Sequence, residues 1–208
     1  MMTILKKGKG SGTVIQMKKR MERDQKILSR LNDLTYATRE HLQILENLGG
    51  ERNAQRIMQR LEREKYVSSV RYEKKIYYLS KKGQREIGSE KELKKRMIRH
   101  TIMRNDLYIQ LGTPVDWRKE VSIRLNGNLL LVADAKFTQS GINHFVEIDN
   151  QQNMKNNADK IRKYKELFRV IFNQYKHHPV LIWKTQSEIR KKKLHDLCKN
   201  AGIKFEIY

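Results

Sequence analysis

Val121-Ser-Ile-Arg-Leu-Asn-Gly-Asn-Leu-Leu-Leu-Val-Ala-Asp-Ala-Lys-Phe137, followed beyond Thr138–Gly141 by Asn143-His-Phe-Val-Glu-Ile-Asp149, is the stretch on which the fold turns. It reads as three strands, 121–125, 129–137 and 143–149, and Asn126-Gly127-Asn128 between the first two is a strong hairpin signal. Side chains alternate along a strand, so Glu147 and Asp149 share one face while Val146 and Ile148 take the other. Asp134 interrupts the apolar run Leu129–Ala133. An acid in a buried strand costs several kcal/mol unless it is paired, protonated or bound to a cation. If the hairpin sets Asp134 beside Glu147, the three acids offer hard oxygens to Mg2+ or Mn2+, with positions left for water and a substrate phosphate. Lys160, Lys163 and Tyr164 follow at helical spacing and could hold that phosphate; ion pairing of the acids with these lysines is the purely structural alternative.

Outward from this stretch, a basic helix is expected from Ser89 to Leu111, closed by Gly112 and Pro114. On the other side come a helix over about 153–173, an apolar run Val180–Trp183, a helix Ser187–Ala201 ended by Gly202, and a strand Ile203–Tyr208. The order αβββαβαβ makes residues 89–208 one domain. Residues 18–88 read as another. Met21, Ile27, Leu28 and Leu31 mark an amphipathic helix over 18–34, and Thr38 caps a second helix running to Leu48, with an imperfect capping box because His41 stands at the third position. Gly49-Gly50 turns the chain into a third helix, 51–65, with Ala54, Ile57, Met58 and Leu61 on one face. Two short β-prone runs, 67–72 and 75–79, make a hairpin. This is the order of a winged helix-turn-helix, in which Arg52, Asn53, Arg56, Gln59 and Arg60 would enter the major groove and Lys74 and Lys75 would follow the backbone from the wing. Residues 1–17, basic and punctuated by Gly and Ser, read as a flexible arm. The fold class is α+β.

The formal charge of +22 points to a polyanionic partner, and it divides almost evenly, +10 over residues 1–90 and +12 beyond. Cys198 is the single cysteine, so neither a disulfide framework nor a thiolate zinc site can be built within the chain, and a reducing, cytoplasmic setting is expected. No run approaches the roughly 20 apolar residues of a membrane span. His177-His178, before Pro179 and near Tyr175, invites comparison with histidine-plus-tyrosine nickases, but adjacent histidines on a strand point oppositely, and the pair reads as loop. Gly8–Gly12 lacks the ending of a phosphate-binding loop. Few aromatic residues fall near the basic faces, which disfavours RNA as the partner.

The chain resembles the replication-relaxation family of plasmid and integrative-element proteins, related to MobC-type relaxases. The resemblance rests on Leu34-Thr35 through the basic helix to Leu61–Val67, on Tyr77-Tyr78-Leu79-Ser80-Lys81-Lys82-Gly83, and on His100-Thr-Ile-Met-Arg-Asn-Asp-Leu107 with Trp117 and Glu120 before the first strand. Most specific is Glu147-Ile148-Asp149 with Asp134, Lys160 and Tyr164. It implies a PD-(D/E)xK nuclease-like fold after the winged helix, in which Asp134 and Glu147 bind metal. Two positions depart from the pattern: Ala133 stands where a proline usually precedes the first acid, and Asp149 stands where the nuclease lysine follows the glutamate. Lys160 is the candidate substitute from the helix.

The expected function is therefore that of a plasmid or mobile-element protein. It would recognise origin duplex DNA through the winged helix and nick it with Asp134, Glu147, Asp149 and Lys160 around Mg2+ or Mn2+, with Lys163 and Tyr164 on the DNA. The alternative is a transcriptional regulator or relaxosome accessory factor that binds DNA without catalysis and needs no cofactor. Other replication or relaxosome proteins are expected partners, and a palindromic footprint would indicate a homodimer.

Overall fold

The computed structural model describes residues 10–150 and 152–208, a mixed α+β chain that divides between Lys95 and Arg96 into two compact units. The first unit holds α1 (Gly10–Leu34), β1 (Ala37–Thr38), α2 (Arg39–Leu45), α3 (Glu51–Arg63), β2 (Val67–Arg71), β3 (Lys75–Leu79) and α4 (Lys81–Glu86). Its three strands pair antiparallel in the order β1-β3-β2. Ile27, Leu28 and Leu31 of α1, Leu42 of α2 and the Ala54, Ile57, Met58, Leu61 face of α3 close one core over Val67, Tyr77 and Leu79.

The capping box of α2 is complete after all. Thr38 Oγ1 accepts the His41 N–H at 3.2 Å, and His41 Nδ1 accepts the Thr38 N–H at 3.4 Å, so the imidazole does the work usually given to Glu or Gln. α2 stops at Leu45 rather than Leu48, because Asn47 and Gly49 take left-handed φ of 47° and 70° and fold buried Leu48 into the core.

Three expectations change here. Of the stretch 1–17 read as an arm, residues 10–17 extend α1, and the remainder lies outside the described residues. The helix α4, not foreseen, is capped by Ser80 Oγ, which accepts the Gly83 N–H at 3.0 Å. Gly83 is obligatory there: a Cβ would come within 2.0 Å of the Tyr66 carbonyl oxygen. Residues 89–94, expected to begin a long helix, are not helical. Gln84 Nε2 donates to the Lys91 carbonyl at 2.6 Å, Ser89 Oγ to Asn32 Oδ1 at 2.7 Å and Lys91 Nζ to the Asn32 carbonyl at 2.8 Å, giving that segment competing partners.

After a short 3-10 turn, Lys95–Met97, that begins at the last residue of the first unit, the second unit holds α5 (Ile98–Gln110), β4 (Arg118–Leu125), β5 (Asn128–Gln139), β6 (Ile142–Asp149), α6 (Met154–Tyr175), β7 (Val180–Thr185), α7 (Glu188–Ala201) and β8 (Phe205–Ile207). The expected element order stands. The sheet order is β4-β5-β6-β7-β8, antiparallel through β6 and parallel from β6 to β8. Asn126 and Gly127, with φ of 49° and 79°, form the tight turn their sequence signals, and Ser140-Gly141 repeats it between β5 and β6. Glu120 lies inside β4, two positions after its start, and not ahead of the strand.

Both faces of the sheet are covered. Phe145, Leu181 and Trp183 pack with Ile161, Leu167 and Phe168 of α6 and Leu194 of α7, while Val146, Ile148 and Ile182 pack with Met103 and Leu107 of α5. Leu131 and Ala133 belong to the α6 core and Ala135 and Phe137 to the α5 core, although all four have the same parity. β5 therefore reverses its faces at Asp134. Its pairing with β6 ends one residue away, at Ala135 opposite Val146.

Candidate functional site

That reversal explains an acid in mid-strand. Where the ladder stops, Asp134 Oδ2 accepts the backbone N–H of Ile148 at 2.7 Å, replacing the missing carbonyl, and Oδ1 lies 3.2 Å from His100 Nε2 on α5. Burial works against its charge, but the hydrogen bond to His100, the charges of His100 and Lys160 and the Ile148 N–H outweigh it and hold the carboxyl below its ordinary range.

Glu147, on β6, is 0% exposed. Lys160 Nζ sits 2.5 Å from its Oε2 and the Tyr164 hydroxyl donates to Oε1 at 2.6 Å, the two partners lying one helical turn apart on α6. Burial, reinforced by the negative charge of Asp134, lifts the Glu147 carboxyl to about 8 even against the pull of Lys160 and Tyr164. Lys160 moves up as well: burial disfavours its charge, and the two carboxylates more than restore it. The Tyr164 hydroxyl is likewise pushed up, by burial first and by Glu147 second. Arg104, one turn beyond His100 and 3% exposed, reaches Glu120 Oε1 at 3.5 Å and is drawn down by burial. The centre thus contains two coupled carboxylates, a buried ammonium and a buried phenol.

The third acid is elsewhere engaged. Asp149 projects from the Glu147 face, but Arg190 grips it with two bonds, Nε to Oδ2 at 2.6 Å and Nη2 to Oδ1 at 2.5 Å. Asn157 and Thr185 add further donors at 2.8 and 3.3 Å. Burial opposes its ionisation, yet Arg190 and Asn157 hold it below the usual carboxylate range. Among the described residues no three His, Cys, Asp or Glu side chains gather as a metal-binding group. Arg190→Lys keeps the charge and loses the two-pronged geometry, so it is expected to cost about 2 kcal/mol in urea unfolding.

The basic residues sort by face. Arg52, Arg56, Gln59 and Arg63 form one exposed stripe along α3 at intervals of four, three and four. Arg60 turns away from it, bonding Asp24 of α1 at 2.6 Å and Glu64 at 2.8 Å. Asn53 supports the turn before α3, donating to the Leu48 carbonyl at 2.8 Å and accepting from Arg56 at 2.9 Å. Arg20 and Arg23 of α1 join Arg56, Gln59, Arg60 and Arg63 around a cleft of about 430 Å³. On the hairpin Lys74 pairs with Glu40 at 2.7 Å and Lys75 with Glu62 at 2.6 Å. Of the α6 residues expected on DNA, Lys163 is exposed and Tyr164 is 0% exposed, its hydroxyl spent on Glu147.

His100, Arg104, Arg190 and Asn157 entered the site without a role read from sequence. His100 and Arg104 had a signal, a helical spacing of four that aims both at the strand carrying Asp134. Arg190 had none, lying 41 residues from the acid it holds.

A basic helix face on one unit, and on the other a buried carboxylate pair with a lysine on a five-stranded sheet, define a two-part α+β protein. The family model described as replication-relaxation matches residues 28–181, about three quarters of the chain, so the chain belongs to the replication-relaxation family and is tied to plasmid or mobile-element replication. No curated protein and no solved structure matches it. Among the described residues no helix is long and apolar enough to cross a membrane.

Proposed function

We propose that this chain addresses origin duplex DNA with a winged helix-turn-helix, its first unit, and nicks that DNA with a PD-(D/E)xK nuclease-like second unit. Supporting the first half are the element order, the hairpin beside α3 and the exposed Arg52, Arg56, Gln59, Arg63 stripe. Supporting the second is the pairing of Glu147, 0% exposed, with Lys160 next to Asp134. Apolar residues of similar volume would brace a sheet at less cost than buried charges, which favours a chemical role for such a centre.

The donor set fits a hard divalent cation: two carboxylates, of which Asp134 already disfavours the charge of Glu147, gain from a shared Mg2+ or Mn2+. Such an ion supplies an activated water and charge neutralisation at the scissile phosphate. His100 fixes Asp134 Oδ1, and Tyr164 fixes Glu147 Oε1 so that the carboxylate cannot swing. Lys160 carries the positive charge available to a phosphate oxygen. Asp149, gripped by Arg190, orients α7 against β6 and stands outside this set.

The test is conversion of supercoiled origin plasmid to open circle with Mn2+ and its absence in EDTA; supercoils that survive Mg2+ and Mn2+ alike would sink the nicking half. Duplex binding is measured separately. Replacing Arg52, Arg56 and Arg63 together by alanine is expected to reduce the slope of log K against log salt by about 3, close to 0.9 per phosphate contact, as read by fluorescence anisotropy. One observation favours a second reading, a DNA-binding accessory factor without catalysis. Glu147 and Asp149 find protein partners for every carboxylate oxygen, so the network can stand as a brace. That reading predicts duplex binding with no open circles.

A further inference from the structure

The second unit carries another concave basic surface, at the far end of α6. Phe172 and His178 stack there with ring centroids 4.5 Å apart and planes inclined by 22°. They border a cleft of about 590 Å³ floored by Phe168, Pro179 and Ile203 and rimmed by Lys165, Arg169 and Lys204. Those three cations make no ion pair among the described residues, in contrast to Arg60, Lys74 and Lys75 of the first unit. Arg162 and Glu166 also line the rim; Arg162 is paired with Asp159, so Glu166 sets one negative charge against those three cations. Phe172 lies twelve residues beyond Lys160, about 18 Å along the helix at 1.5 Å per residue, so this cleft is distinct from the Asp134–Glu147 centre.

The loop is built to present the ring. Lys176 ends α6 in the left-handed region with φ of 58°, and His177 is tied to Asn143 at 3.2 Å. Pro179 confines His178 to extended backbone, which leaves its imidazole free to cover one side of Phe172. An aromatic pair kept 39% exposed at the phenylalanine, beside three cations without an ion pair among the described residues and one acid, offers a flat apolar face and donors for an anion together. A nucleotide chain has that combination of π-face and phosphate. In a duplex the base faces are stacked inward and cannot reach a protein ring, so the match is to an unpaired strand.

We infer that this cleft binds single-stranded DNA, with an unpaired base on the Phe172–His178 stack and neighbouring phosphates on Lys165, Arg169 and Lys204. The site stands apart from duplex recognition by α3 and from nicking, and neither reading is needed for it. Its aromatic cluster comes from residues separated in sequence, so single-strand binding was not visible before the loop was folded against the helix.

The test uses the full chain and fluorescein-labelled dT15, with a random duplex measured in parallel. Phe172→Ala is expected to weaken dT15 about tenfold, and Phe172→Leu, which keeps apolar bulk without a ring, nearly as much. The triple Lys165→Ala, Arg169→Ala, Lys204→Ala variant is expected to lower the single-strand salt slope by about 2, at roughly 0.7 per phosphate. Ultraviolet cross-linking of dT15 carrying one iodouracil should mark the peptide containing Phe172 or His178. Unchanged dT15 affinity in all variants overturns the inference. So does a loss in the triple variant with Phe172→Ala behaving as wild type, which would make the cleft an anion patch, and so does tighter binding of rU15 through the same residues, which would make it an RNA site. Duplex affinity and melting temperature are expected to stay at wild-type values in every variant, since these side chains lie at the surface; a parallel loss of duplex affinity counts against a dedicated single-strand site.

Discussion

Asp134→Ala is expected to reduce Mn2+-dependent open-circle formation by roughly 10²–10⁴-fold, the range associated with loss of one essential acid or base group. Asp134 contributes the charge of the centre that remains ionised, since His100, Lys160 and the Ile148 N–H hold its carboxyl below the ordinary range. Alanine removes the charge and also strands the Ile148 N–H where β5 and β6 part, so Asp134→Asn is the sharper variant. Asparagine keeps an oxygen for that N–H, bonded at 2.7 Å in the native chain, and deletes only the charge. Both variants should bind duplex DNA as wild type does, because the α3 stripe lies in the other unit. Initial rates are read from gels of supercoiled origin plasmid across Mg2+ and Mn2+. Nicking within threefold of wild type in Asp134→Asn would remove Asp134 from the chemistry and leave it the ladder-end role that its hydrogen bond already gives it.

Those two roles of one side chain show where sequence reading stops. Alternation along 143–149 put Glu147 and Asp149 on one face, and helical spacing put Lys160 and Tyr164 on another; the structure joins Glu147, Lys160 and Tyr164, and the joining needed only a strand followed by a helix laid back across it. The division between Glu147 and Asp149 was not legible, because it depends on Arg190, brought in by α7 after a further strand. The face reversal of β5 at Asp134 was equally hidden, since strict alternation cannot express a strand that changes sides. Along α3 the periodicity separated core from surface but not Arg56 from Arg60; Asp24 on α1 decides that difference. Turns were the most legible elements, with Asn126-Gly127 adopting the positive φ values its residue types favour. The short helix α4 escaped because six residues give too little periodicity, and its signal was a Ser80 cap with Gly83 pressed against the Tyr66 carbonyl.

Glu147 also makes stability depend on pH in a direction opposite to that of most carboxylates. Its carboxyl is raised from 4.5 to about 8, by burial and then by Asp134, so between those values the folded chain holds a proton that the unfolded chain releases. The contribution of Glu147 is therefore complete below about pH 4.5 and is lost as pH rises through about 8. Its slope within the window is about 1.4 kcal/mol per pH unit, and across the whole window the loss is on the order of 5 kcal/mol. Asp134, held low, acts only below its ordinary range near 3.8, and His144, whose imidazole burial holds below 6.5, works in the opposite sense at the acid end. The difference between wild type and Glu147→Gln isolates the one group. Glutamine mimics the protonated acid, turning its oxygen to Lys160 and its amide to the Tyr164 hydroxyl. Urea unfolding in EDTA is expected to give near-equal stabilities for the two proteins at pH 5, and a Glu147→Gln chain more stable by several kcal/mol at pH 9. Parallel profiles from pH 5 to 9 would mean that Lys160 keeps Glu147 ionised throughout, and that the centre is a permanent ion pair with no proton to give up.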